Sequence, residues 1–135
     1  MAKRGSMIAV ITLAILVIAL FVFIAIPQIA KVYASGKAAL KTASARDIAL
    51  ILDTIYAYPH DIELEYNFDL SDFKVSISNN KVKVYDKSYG SPGSDPTLAQ
   101  YDFVSVNDAP NFPLDQPKKI IFKKVEGVLA ITYIK

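Results

Sequence analysis

Cysteine is absent from this chain. Disulfides, thiolate nucleophiles and cysteine metal sites are therefore excluded, and stability must come from packing alone. The Asn-x-Ser/Thr sequon is absent too, so an outward-facing domain would carry no N-glycan at that motif. Excess charge is nearly missing: 15 basic residues stand against 13 acidic ones, a formal net charge of +2. That balance leaves no electrostatic footprint for nucleic acid, which is not an expected partner. No Gly-x-Ser-x-Gly elbow occurs, and His60 is the one histidine, so a metal centre would have to lean on carboxylates placed by the fold. Asp86 and Asp95 stand too far apart for an EF-hand loop. The chain is expected to be neither an enzyme nor the holder of a cofactor.

Charge is also missing from one continuous stretch, and there the absence is informative. From Met7 to Ile26 the only polar side chain is Thr12. Roughly 20 helical residues at about 1.5 Å each span the ~30 Å hydrocarbon core of a bilayer. A core helix of a soluble protein keeps a polar face, and this run has none. A membrane helix is expected over residues 6–30, after a basic leader at residues 1–5. Removing both leaves about 100 residues, enough for one small domain with its own core.

Pro27 lacks an amide hydrogen and is expected to kink the helix near the membrane edge without ending it. Helical spacing then resumes. Lys37 and Lys41 lie one turn apart, as do Ala39 and Ala43, while Ile48, Ile51, Ile55 and Tyr58 recur at three or four residues. An amphipathic continuation is expected over 31–58, with Gly36 its weak point and Tyr58-Pro59 its stop. The whole helix, from about Ser6 to Ala57, would be roughly 78 Å long.

Beyond it the period falls to two. Ile62, Leu64, Tyr66 and Phe68 alternate with Glu63, Glu65 and Asn67, a strand with one apolar and one solvated face. Phe73, Val75 and Ile77 repeat the pattern, Asn79-Asn80 suits a tight turn, and Val82 and Val84 return. Residues 87–97 read as a loop, Tyr101 to Val106 as a short strand and Asn107 to Pro117 as a second loop. Lys118–Val125 and Val128–Tyr133 flank Glu126-Gly127 as a second hairpin. The fold class expected is α+β: a long N-terminal helix kinked near Pro27, then a small, mostly antiparallel β-sheet domain of about five strands over 59–135.

Among polar residues, Asp61, Glu63, Glu65, Asp69 and Asp72 form the densest acidic stretch and read as a solvated face. Lys118, Lys119, Lys123 and Lys124, with Lys81 and Lys83, are their basic counterpart for cross-strand or intersubunit ion pairs. His60 reads as a solvated turn residue. The eight tyrosines, among them Tyr56, Tyr58, Tyr66 and Tyr133, suit sheet packing.

A basic leader ending Lys3-Arg4-Gly5, with a hydrophobic helix beginning at once at Ser6-Met7, resembles the class III signal peptide of archaeal type IV pilins and archaellins. The resemblance implies cleavage between Gly5 and Ser6 by a prepilin-type peptidase. It also implies that the retained helix bundles with other copies, or with related pilin-like subunits, in a filament core. The position of Pro27 and a small β domain after a long helix are similar to type IV pilins as well. The glutamate that bacterial members carry early in the processed helix would fall at Val10. On this resemblance the residues of processing are Lys3, Arg4, Gly5 and Ser6. Those of assembly are Met7, Ile11, Leu16, Phe21, Phe23, Pro27, Ala39 and Ala43.

The expected function is thus a structural subunit of an extracellular type IV pilus-like filament, held in the cell membrane before assembly and presenting its β domain outside. Lys31, Lys37, Lys41 and Arg46 after the helix would point inward by simple positive-inside counting, but a filament can shield them. One alternative is an uncleaved single-pass protein whose β domain serves as accessory subunit of an envelope complex. Another is secretion by cleavage at Val32-Tyr33-Ala34, for which the apolar run exceeds the usual signal length of about 7–15 residues.

Overall fold

The computed structural model describes residues 2–34, 36–105 and 111–135. The protein is α+β and parts at Lys37 into two compact units. The first unit is one helix, α1 (Ala2–Ala34), which runs through Pro27 without ending. It starts earlier than expected, taking in the leader, since Ala2, Lys3 and Arg4 are good helix formers and one glycine costs only about 1 kcal/mol.

Where a single helix to Ala57 was expected, there are two. Gly36 adopts φ +68°, the left-handed conformation that closes a right-handed helix and that glycine alone takes without strain. The second helix, α2 (Lys37–Ala57), belongs to the C-terminal unit and ends one residue before Tyr58-Pro59. Its buried residues Lys41, Ser44, Ala45, Ile48, Ala49, Leu52 and Ile55 fall at three- and four-residue steps, one continuous stripe. Ile48, Leu52 and Ile55 are fully buried, each contributing about 1.5–3 kcal/mol of apolar transfer. Tyr58, read as part of that stripe, lies beyond the helix end and is exposed.

Among the described residues seven strands follow: β1 (Ile62–Tyr66), β2 (Phe73–Ser78), β3 (Lys81–Asp86), β4 (Ala99–Asp102), β5 (Phe112–Asp115), β6 (Lys119–Val125) and β7 (Val128–Ile134). They form two antiparallel sheets, ordered β1-β6-β7 and β4-β3-β2-β5. Both expected hairpins are present. Asn79 and Asn80 at φ 50° and 57°, and Glu126 and Gly127 at φ 50° and 81°, supply the paired positive φ of a two-residue turn matched to sheet twist.

One strand, β5, has no counterpart among the expected ones. β5 lies inside the stretch read as a loop to Pro117, because Pro113 and Pro117 argue against a strand. A proline is tolerated where its missing N–H faces outward, and β5 is an edge strand paired only to β2, with Pro113 opposite Ser76. β4 lies two residues upstream of the expected strand; Val106, its expected end, and residues 107–110 of the expected loop lie outside the described residues.

Cross-strand rows make the core. In the larger sheet Ala99, Val84, Val75 and Leu114 stand side by side, all buried. In the smaller one Leu64, Phe122 and Ile131 form the matching row. Both rows join Ile48, Leu52 and Ile55 of α2 in a single apolar cluster.

Candidate functional site

Met7–Pro27 of α1 is a 21-residue segment long and apolar enough to cross a membrane, and none of it is buried within the chain. Met7, Ile11, Leu16, Phe21, Phe23 and Pro27 are all exposed. At about 100° per residue they are spread round the helix, Phe21 and Phe23 on nearly opposite sides, so the apolar surface has no polar gap. Thr12 does not interrupt it: its hydroxyl donates to the Ile8 carbonyl one turn back, at 2.8 Å. Such a cylinder has the two surroundings open to an unbroken apolar surface, lipid tails or other apolar helices. Lys3, Arg4, Gly5 and Ser6 lie in its first turns as backbone.

Ala39 and Ala43 sit in the other unit, on α2, and are exposed on the side away from its buried stripe. The expected assembly residues are therefore divided between two units, and both groups face outward from their own unit.

α2 is fastened at each end by a buried lysine. Near its start, the Lys41 ammonium donates to Asp95 Oδ2 at 2.8 Å and to the Thr97 hydroxyl. The two side chains of the pair are only 2% and 1% exposed. Asp95 also accepts the Asp86 amide, the Thr97 amide and the Thr97 hydroxyl, each at 2.8 Å. Burial pushes its carboxyl up, yet the Lys41 ammonium and these donors outweigh burial and hold it at about 2. At the far end Lys124, reaching in from β6, donates to the carbonyls of Ile55 (2.9 Å) and Tyr58. A cation on the last turn satisfies carbonyls that have no intrahelical partner and meets the negative end of the helix dipole.

Neither lysine was singled out by sequence reasoning in this role. The sequence pattern sets Lys41 one turn from Lys37 and places Lys124 among the basic residues expected in cross-strand or intersubunit ion pairs. The readable signal for Lys41 was its place on the stripe, four residues before Ala45 and seven before Ile48.

The surface charges follow the expected pattern more closely. Glu65 meets Lys119 at 2.7 Å and Glu63 meets Lys123 at 3.4 Å across β1 and β6. The hydrogen bond from Lys119 lowers the Glu65 carboxyl below its usual range. Asp72 pairs instead with Lys87 of the next loop, at 2.7 Å. His60 is exposed, its ring edge-on to Tyr58 at 5.8 Å. Among the described residues no three histidine, aspartate or glutamate side chains converge as a metal set.

Compared with known proteins, the chain matches no family model, no curated protein and no solved structure. Sequence and geometry define a class: an α+β protein whose compact C-terminal unit follows a helix apolar enough to cross a membrane.

Proposed function

We propose that the protein is a structural subunit of an extracellular filament of the type IV pilus kind, built through self-association of α1. The observation that carries this reading is the apolar, exposed surface of Met7–Pro27 of α1, close behind Lys3-Arg4-Gly5 in the sequence. Lipid holds that surface before assembly, and neighbouring subunits replace the lipid afterwards. A prepilin-type peptidase removes residues 1–5, and the small exposed residues Ala39 and Ala43 allow close approach of a neighbouring helix.

The test is the intact mass of the protein recovered from its native envelope, with N-terminal peptide sequencing. A chain beginning at Ser6 is expected, and replacing Gly5 should abolish that cut. A chain that keeps Lys3-Arg4-Gly5 overturns the filament reading in favour of a single-pass accessory subunit. Ala39→Leu and Ala43→Leu should each reduce filament yield while leaving membrane insertion unchanged.

A further inference from the structure

Among the described residues four strands lie at sheet edges, and three of them carry the devices that natural proteins use to prevent edge-to-edge pairing. β1 carries Glu63 and Glu65, β4 has four residues and ends on Asp102, and β5 has four residues and contains Pro113. β7 has none of these. Its seven residues, Val128–Ile134, include no charge, proline or glycine, and among the described residues it pairs only with β6. Leu129, Ile131 and Tyr133 face the core, while Val128, Ala130, Thr132 and Ile134 face outward and are exposed, Val128 at 70% and Ile134 at 54%. The outward face of the same sheet carries Glu63 and Glu65 on β1 and Lys119 and Lys123 on β6, with Ile121 and Val125 between them and β7.

We propose that β7 pairs antiparallel with β7 of a second copy about a two-fold axis at Ile131, joining the two three-stranded sheets into one. Three features select this occupant and this register. An uncharged strand is complementary to another uncharged strand, so β7 fits itself. Centring on Ile131 places Val128 opposite Ile134, Leu129 opposite Tyr133 and Ala130 opposite Thr132, which uses the whole strand and keeps core-facing residues on the core side. Charge decides the direction. Glu126 precedes β7 and Lys135, whose ammonium also holds Asp115 at 3.0 Å, follows it, so antiparallel pairing sets Glu126 of one copy near Lys135 of the other, whereas parallel pairing sets like near like. The contact is isologous, as a closed dimer requires. It stands apart from the filament reading, because pairing through α1 and pairing through β7 fail separately.

The absence of cysteine makes the test direct. Full-length Ala130→Cys and Thr132→Cys chains are oxidised mildly in detergent micelles, each alone and as an equal mixture. The proposed register puts residue 130 directly opposite 132 of the other copy, about 5 Å between Cα atoms, within disulfide reach. Residues 130 and 130 would lie beyond the ~7 Å limit. Heterodimeric disulfide in the mixture should exceed that of either variant alone at least tenfold. Val128→Lys, added to both chains, should suppress it by a similar factor with an unchanged circular dichroism spectrum. Equal yields from all three samples would mean collision driven by α1 and would overturn the proposal. So would an absence of disulfide, or capture of a different protein when Ala130→Cys is oxidised in its native envelope.

Discussion

Replacing Asp95 by alanine should be among the most damaging single changes outside the apolar core. It leaves the Lys41 ammonium, 2% exposed, without its carboxylate, and removes the acceptor of the Asp86 and Thr97 amides. Removing one partner of a buried ion pair costs about 3–5 kcal/mol. At roughly 4–8 °C per kcal/mol for a domain of this size, the melting temperature should fall by more than about 12 °C. Thermal unfolding of the full chain in detergent, followed by near-ultraviolet circular dichroism of the tyrosines, measures it. Acid gives an independent reading. The Asp95 carboxyl sits at about 2 in the folded chain against 3.8 for an ordinary aspartate, a gap worth about 2 kcal/mol. Because the folded value is the lower one, that stability is complete above about pH 4 and is lost as pH falls towards 2. Asp95→Asn should therefore show a shallower loss between pH 4 and 2 than the parent chain. A change in melting temperature under about 3 °C for Asp95→Ala, with parallel acid profiles for Asp95→Asn and parent, would refute the reasoning.

Lys124→Met should cost about 1–3 kcal/mol by stranding the Ile55 and Tyr58 carbonyls at the end of α2, read as faster hydrogen exchange of the last turn; unchanged exchange would remove Lys124 from this role. Gly127→Ala should cost only about 1–2 kcal/mol, because φ +81° strains any L residue while the added Cβ meets nothing within 4 Å; a loss above about 4 kcal/mol in urea unfolding would contradict an open turn. Leu16→Asp should reduce membrane insertion by about 3 kcal/mol in a glycosylation-mapped insertion assay, whereas Thr12→Val, whose hydroxyl serves only its own helix, should be close to neutral. Equal insertion of Leu16→Asp and parent would argue that α1 does not enter the bilayer.

Local signals in the sequence were faithful. The apolar run, Gly36 as the weak point, the Asn79-Asn80 and Glu126-Gly127 turns and the alternation of β1 and β2 each depend on a few neighbouring residues, and each has its counterpart in the structure. What stayed hidden depends on partners far along the chain. The division into two sheets requires β1 to pair with β6 rather than with β2, and nothing in residues 62–66 encodes that choice. β5 was masked by Pro113, whose acceptability depends on lying at an edge. Lys41 is buried because Asp95 is there to receive it, 54 residues away, so a lysine on an apolar stripe read as an ordinary polar position.

The lysine at the start of α2 also has a mechanical meaning. Tension along the backbone from the N-terminal side enters the C-terminal unit at Lys37 and within about one helical turn reaches Lys41. There the Asp95 contact diverts force into the segment between β3 and β4, and the Asp86 amide carries it on into the four-stranded sheet. The helix is thereby tied down before it can be peeled from its first residue. The buried apolar cluster begins at Ala45, so a pull that stretches only the residues before Lys41 exposes none of the core.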